Sequence, residues 1–325
     1  MKNKMIVVTG GAGFIGSGVV KTLNDQGYTN LIIVDNLAST EKWKNLVGKS
    51  FSDILHKNSL FDWLQGRQSE IGAFIHLGAC SSTTELDANY LLENNYRYSR
   101  RLAEYALSNN IRFIYASSAA TYGDGNDGFI DSHEFLEQLQ PLNMYGYSKH
   151  LFDLWLKREN LLDRVVGLKY FNVYGPNENH KGRMCSAIVR MVPDVLKNGF
   201  VSLFASDRPE TYADGEQKRD FVYVKDVARM TVAFLDNDSK GIFNIGTGEA
   251  ISWNRLARAV FLALHKPENI KYIQMPDDLK GKYQYYTKAD MSKTKKALGS
   301  SADQMVFEDA IADYVTKHLI ADTRW

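Results

Sequence analysis

Two cysteines in 325 residues, Cys80 and Cys185, are too few and too far apart for a disulfide framework, and neither sits in a C-x-x-C pair that would point to a metal. An excess of charge of one sign is also missing. The formal net charge of +1 leaves no basic footprint for nucleic acid and no polybasic membrane anchor. No apolar run approaches the roughly 20 residues that span a bilayer. The interval between Lys4 and the first glycines is too short for a signal-peptide core and serves better as a strand. Internal repeats and low-complexity tracts are absent. These absences lead to the expectation of a cytoplasmic globular protein with no metal, long enough for one large domain or two moderate ones.

What the chain does have is a concentration of glycine after its first apolar run. Met5 to Val8 leads into Gly10, Gly11, Gly13 and Gly16, followed by the amphipathic stretch from Val19 to Leu23. This reads as strand, tight turn and helix. Glycine suits a turn that needs positive φ, a backbone approached by a ligand, and a helix packed closely on its strand. The free N–H groups and positive dipole end of that helix would face a pyrophosphate. Leu31 to Val34 forms a second apolar strand ending in Asp35, roughly 20 residues beyond the last glycine, where a ribose-binding carboxylate belongs. The short helical segment that follows carries Lys42 and Lys44. Asp35 favours a free 2′-hydroxyl, whereas the lysines could neutralise a 2′-phosphate or simply line a solvated helix face, so the residues alone do not separate NAD from NADP.

Further along, the strand AFIHL (73–77) precedes GACSSTTE, where Gly78 and Ala79 would let a cofactor approach. The stretch 84–109 reads as a long helix with Asn94 and Asn95 inside it, one of which could face the site or lie at the surface. The strand at 111–116 ends in Ser117 and Ser118, hydroxyls that point into the crevice of a doubly wound sheet or cap the next turn. Tyr145 and Lys149, in YGYSK, share one helical face, and of the chain's 18 tyrosines only Tyr145 has a lysine four residues later. An adjacent ammonium stabilises a phenolate, so the pair can exchange a proton with a substrate hydroxyl while hydride moves to nicotinamide. The strand at 165–171 leads to NVYGP, where the proline ends regular structure and the chain leaves its first domain. A polar loop NENHKGR, a helix from about Met184 to Lys197 and a polar loop at 205–218 come next. RDFVYVKDVA then returns to strand and helix, with Asp226 as candidate N-cap. After a strand at 241–245, a helix follows from Ser252 to about His265, then an extended piece at 270–275 and two helical segments.

Taken together, TGGAGFIGS, YASSAATYG, YGYSK, KYFNVYGP and RDFVYVKDVA resemble the extended short-chain dehydrogenase/reductase family of nucleotide-sugar enzymes. GACSSTTE, ENNYRYS, PLNMYGYSKHLFD, FNVYGPNENHKG and LKGKYQYYTKAD are most similar to the branch of that family that epimerises C6 of an ADP-linked heptose for the lipopolysaccharide inner core. The resemblance implies an α/β Rossmann-type doubly wound parallel sheet, formed by 1–175 plus about 220–250, with a smaller, interleaved α/β substrate domain from about 176–219 plus 251–325. It implies tightly held NADP, an ADP-sugar substrate and a homo-oligomer, a pentamer by analogy. For the cofactor it implies the glycine turn with Phe14, Ile15, Asp35 and Asn36, then Lys42 and Lys57 at the 2′-phosphate. Leu77, Gly78, Ala79, Cys80, Ser81, Asn94, Lys149 and Val173 fall on the nicotinamide side. Tyr145 matches one acid/base and Lys181 the second, with Lys181 also near the cofactor and pairing with phosphate as the other reading. Asn172, Phe204, Ala205, Ser206, Arg219 and Tyr283 match substrate positions. Arg183 and Arg190 depart from the residues of some members, and as a pair they suit a pyrophosphate. Other readings are a 4-epimerase, a 4,6-dehydratase or a dinucleotide sensor. Ala119 and Ala120, where dehydratases carry an acidic pair, argue against dehydration, and retention of Ser118, Tyr145 and Lys149 argues against a sensor.

Overall fold

The computed structural model describes residues 4–276 and 284–325. The first half alternates strand and helix: β1 (Met5–Thr9), α1 (Phe14–Asp25), β2 (Leu31–Asp35), β3 (Asp53–His56), α2 (Leu60–Trp63) and β4 (Ile71–His76). Next come α3 (Ala88–Leu91), α4 (Tyr98–Ser108), β5 (Arg112–Ser118), α5 (Met144–Arg158), β6 (Val166–Tyr170) and β7 (Asn172–Tyr174). The second half carries α6 (Ala187–Asn198), β8 (Val201–Phe204), β9 (Lys218–Arg219), β10 (Phe221–Tyr223), α7 (Val224–Ala233) and β11 (Gly241–Ile245). It ends with β12 (Ile251–Ser252), α8 (Trp253–Ala263), β13 (Ile270–Ile273), α9 (Ser292–Leu298) and α10 (Phe307–Tyr314).

Seven parallel strands form the main sheet in the order β11-β6-β5-β4-β1-β2-β3. Helices cover both faces, so central strands such as β2 and β6 are buried at every position; β2 reads as an apolar run up to Asp35, whereas β6 carries the buried Lys169 within it. The chain steps outward from β1 to β3, then returns to place β4 on the other side of β1. That reversal opens a crevice at the carboxyl ends of β1 and β4, the place where doubly wound sheets bind ligands.

Two apolar cores result. The larger fills both faces of the sheet and includes Ala289, Met291 and Ala302 from the last part of the chain. The smaller joins Phe14 to side chains of β7, β10, α6, α8 and α10. β7 pairs in parallel with β10, β8 with β13, and β9 antiparallel with β12.

Three local readings change. The long helix starts at Ala88 rather than Thr84, because the Asp87 carboxylate caps it by accepting Tyr90 N at 3.0 Å, and its middle, Leu92–Arg97, is a π-helical turn. The helix expected at Met184 begins at Ala187, because Glu178 holds the preceding Ser186 N at 2.5 Å. Asp226 is not the N-cap of α7. β10 runs straight into that helix, so Tyr223 stands at the cap and Asp226 lies in the first turn, bonded by Arg229 and Met305 N. Among the described residues, no helix is long and apolar enough to cross a membrane.

Candidate active site

The crevice is built on glycine contacts that no side chain could replace. Gly10 has φ +68°, and a Cβ there would lie 2.7 Å from Gly78 N, while one on Gly16 would lie 2.0 Å from the Gly10 carbonyl oxygen. The turns after β1 and β4 therefore touch backbone to backbone. Helix α1 begins at Gly13 with no side-chain cap, which leaves its first-turn N–H groups directed at the crevice. Asp35 closes one end: its carboxylate accepts Ala12 N at 3.0 Å and Asn36 N at 2.7 Å, and Lys42 pairs with it at 2.6 Å.

The floor is a neutral hydrogen-bonded chain. Thr9 Oγ1 accepts Gly78 N at 3.1 Å and lies 2.6 Å from His76 Nδ1, whose Nε2 is 2.8 Å from Ser99 Oγ. Ser99 in turn donates to the Asn95 carbonyl. Burial, with Lys149 nearby, pulls the His76 pKa down to about 3, so the ring is neutral and Thr9 donates to Nδ1. Asn95, fully buried, receives Cys80 N at 2.8 Å and donates to the Cys80 carbonyl at 2.9 Å and to Ser148 Oγ at 3.0 Å. This fixes the 77–81 turn against α5.

Tyr145 stands in the first turn of α5, which Asn143 caps by accepting Gly146 N at 2.8 Å. A Cβ on Gly146 would come within 2.7 Å of the Ala120 carbonyl, so that glycine lets α5 dock onto the turn that follows β5. Tyr145 is half-buried. Burial raises its phenol above the ordinary value, and the hydrogen bond from Ser118 opposes that rise. Ser118 Oγ accepts Ala120 N at 3.1 Å, which leaves its proton for the phenol oxygen. Ser117 turns inward instead and donates to Asp153 at 2.7 Å.

Lys149 lies one turn beyond Tyr145 and is 2% exposed. Its pKa falls to about 8 through burial, with Asp153 pulling it up. Among the described residues, no hydrogen bond or ion pair engages its ammonium, so a donor stands ready in the crevice. Asp153 itself is saturated: it accepts from Tyr115 and Ser117 and pairs with the fully buried Lys169 at 3.2 Å. Neither Asp153 nor Lys169 was singled out by sequence, although Asp153, four residues after Lys149 on the same helix face, was the available signal.

The glycine cradle, the uncapped helix start and the unengaged Lys149 fit a dinucleotide. Leu77, Gly78, Ala79 and Cys80 line the crevice half-buried, with Ser81 exposed beyond them. Lys57 meets Asn94 rather than standing alone, donating to Asn94 Oδ1 at 2.5 Å. Val173 lies half-buried on β7. Among the described residues, no group of His, Cys, Asp and Glu could hold a metal ion.

Lys181 departs most from a simple picture. Its ammonium lies 5.3 Å over the Phe14 ring, beside the glycine turn, and among the described residues no hydrogen bond or ion pair joins it to Tyr145, Lys149 or Ser118. Burial lowers its pKa, while Glu178 and Cys185 raise it. It sits on the 3₁₀ segment Asn179–Met184, which kinks at Gly182. Asn172 is exposed at the start of β7 and receives a bond from Thr287, Arg219 is buried on β9 and donates to the Lys218 carbonyl, and Phe204, Ala205 and Ser206 lie half-buried at the end of β8. Arg183 and Arg190 are both exposed, and among the described residues the structure pairs neither with an acid. Tyr283 lies outside the described residues.

Known proteins place this geometry. The model of the NAD dependent epimerase/dehydratase family matches residues 6–246. The ADP-L-glycero-D-manno-heptose-6-epimerase of Nitratidesulfovibrio vulgaris is 49% identical over 320 residues, 98% of each chain. That of Fusobacterium nucleatum is 46% identical over 327 residues, covering 97% of this chain and 98% of the relative. Among solved structures, the Helicobacter pylori ADP-L-glycero-D-manno-heptose-6-epimerase superposes with a TM-score of 0.82 at 28% identity, covering 98% of this chain and 97% of that one. The paired turns at the β1/β4 crevice and the Tyr145–Lys149 face of α5 thus sit in a chain that belongs to the NAD dependent epimerase/dehydratase family and, within it, to the ADP-L-glycero-D-manno-heptose-6-epimerases.

Proposed function

We propose that the protein inverts C6 of the heptose in ADP-D-glycero-D-manno-heptose, giving the L-glycero epimer for lipopolysaccharide inner-core assembly, with NADP retained through the cycle. The observation that carries this reading is the convergence of Tyr145, Ser118 and Lys149 on the crevice, in a chain that matches epimerases of that name from end to end. When bound, the nicotinamide would supply the hydride acceptor and donor for C6. Tyr145 takes the proton of the C6 hydroxyl in one pose. Ser118 stabilises the phenolate by donating to it, and Lys149 does so by charge, with its ammonium also able to hold the cofactor. Epimerisation requires the substrate to present both faces in turn, so a second group must serve the other pose. Lys181 suits that role as an amine beside the glycine turn, over the Phe14 ring, with its pKa lowered from the ordinary lysine value by burial. Arg219 would grip the ADP diphosphate with two parallel bonds.

The choice of NADP over NAD rests on Asp35. Lys42 already occupies one oxygen of that carboxylate and Ala12 N the other, so it is a poor acceptor for a 2′-hydroxyl, whereas Lys42 and Lys57 together suit a 2′-phosphate. A cytoplasmic setting fits an NADP-dependent enzyme of nucleotide sugars, and a homo-oligomer, a pentamer by family analogy, completes the reading.

The test is direct. Purified protein given ADP-D-glycero-D-manno-heptose without added cofactor should form the L-glycero epimer, followed by proton NMR. In deuterated water C6 should stay protonated, because the hydride never leaves the site. Absence of conversion overturns the epimerase assignment, and deuterium at C6 overturns the internal hydride. Denatured protein should release NADP by mass spectrometry; NAD alone would remove the role given to Lys42 and Lys57.

A further inference from the structure

The lobe that carries Lys181 is closed at its base by one carboxylate. Glu178, 1% exposed, accepts Gly175 N at 3.3 Å, Ser186 N at 2.5 Å, the Ser186 hydroxyl at 2.7 Å and the Tyr314 hydroxyl at 2.8 Å. Residues 179–185 project from this clasp. At their tip Gly182 has φ +54° and nothing within 4 Å of where a Cβ would stand, so the lobe is not packed on that side.

Its attachment comes instead from the cofactor cradle. Asn45, 2% exposed, directs Nδ2 at the Ala12 carbonyl of the glycine turn (3.0 Å), at the Asn177 carbonyl (3.1 Å) and at His180 Nδ1 (3.3 Å). Two N–H bonds serve three acceptors, which makes the amide a hub between turn and lobe. His180 is pulled down to about 4 by burial, with Lys42 and Lys181 adding to that effect and a hydrogen bond with the Asn177 backbone and then Asp35 opposing it, so its ring is neutral and can accept from the Asn45 amide, which only donates. Asn177, fully buried, adds a second tie by donating to Ser17 Oγ on α1 at 3.0 Å. Asn45 also shares the 3₁₀ segment Glu41–Leu46 with Lys42, which is paired with Asp35 at the ribose end.

We propose that Asn45 is a positioning residue that ties the Lys181 lobe to the glycine turn, so that seating the dinucleotide diphosphate also orders the second acid/base. The inference rests on the assignment of Lys181 to that role. A bound diphosphate fixes the turn that holds Ala12, and a 2′-phosphate engages Lys42, so both ends of the cofactor act on the element that holds His180. Seating the hydride acceptor thereby also stiffens the lobe.

The experiment measures amide hydrogen exchange by mass spectrometry in peptides covering 179–186, on cofactor-stripped protein with and without NADP. In the parent, NADP should slow exchange there by about tenfold, the scale of one buried hydrogen bond. Asn45→Ala and His180→Leu should lose that protection while still binding NADP, and His180→Asn, which keeps an acceptor near the Nδ1 position, should regain it. Turnover should follow the same split: kcat about tenfold lower in Asn45→Ala and His180→Leu, with KM for the ADP-heptose within about threefold. Equal lobe exchange in the parent with and without NADP overturns the proposal, as does parent-like protection in both loss variants. Lys181→Met is run alongside. A parent-like rate in that variant removes the acid/base assignment but leaves the exchange result standing, so the two failures are distinguishable.

Discussion

Tyr145 and Lys181 are assigned the same chemistry from mountings of different kinds. Tyr145 belongs to a helix seated on the main sheet, with Gly146 against Ala120 and the Asp153–Lys169 pair buried about two turns further along. Lys181 belongs to a projecting lobe whose tip is unpacked and whose ties run to the cofactor cradle. One side is preorganised by the fold alone, which suits a group that must stay within hydrogen-bond reach of the nicotinamide face. The other takes its placement from neighbouring loops, which leaves room for a sugar that must turn over between poses.

Paired glycine substitutions are the strongest way to break this contrast. Gly146→Ala places a Cβ 2.7 Å from the Ala120 carbonyl and must move the start of α5. A displacement of about 1 Å there should lower kcat by about 10²-fold; a loss under threefold would mean that α5 tolerates the shift and is not the rigid mounting described. Next in size is the buried charge of Lys149. Its pKa falls from 10.5 to about 8 in the fold. Below pH 8 both folded and unfolded chains carry the proton, and the fold bears the full cost of burying it. Between about 8 and 10.5 the unfolded chain holds a proton that the folded one has lost, so stability rises with pH across that window. Lys149→Met should therefore raise the Tm of cofactor-free protein at pH 7, by the equivalent of about 3 kcal/mol at most, and the advantage should disappear toward pH 10.5. A gain independent of pH would assign it to packing rather than charge.

Smaller effects belong to the lobe and the ribose end. Gly182→Ala meets no neighbour, only backbone strain of about 1–3 kcal/mol. The exposed lobe can release that strain by shifting, so kcat should fall by up to about tenfold with Tm nearly unchanged. A Tm loss matching that of Gly146→Ala would erase the distinction between the two mountings. Lys42→Ala should reduce the preference for NADP over NAD by about tenfold in titrations monitored by fluorescence, the scale of one charge-assisted bond. Lys44→Ala should leave that preference unchanged, because Lys44 forms an exposed pair with Glu41 and pairs of that kind contribute little.

What the sequence disclosed was written in consecutive residues. The glycine turn, Asp35 nineteen positions after Gly16, and Lys149 one helical turn after Tyr145 each carry their geometry within a single strand, turn or helix. The parallel sheet was an implication of the resemblance that these stretches carry. The contacts that complete the site join residues distant in the chain: Lys57 with Asn94, 37 positions apart, and Asn45 with His180, 135 apart. No local pattern encodes such pairs. Arg183 and Arg190 show the other limit of local reading. As residue types they suit a pyrophosphate, and in the fold both are exposed; composition gives chemistry without direction.

The π-helical turn at Leu92–Arg97 has a consequence for how this helix can change over time. Neighbours on an ordinary α-helix diverge by about 100°, which would aim Asn94 and Asn95 at different surroundings. The widened turn brings their amides within 3.2 Å of each other, one reaching Lys57 and the other Cys80 and Ser148. A π turn is an α-helix with one residue accommodated as surplus. Losing a residue here would leave an unbroken helix, yet it would rotate everything before the deletion relative to everything after it. Length is thus part of the specification of this segment as much as residue identity, and substitutions should be tolerated here more readily than single-residue deletions.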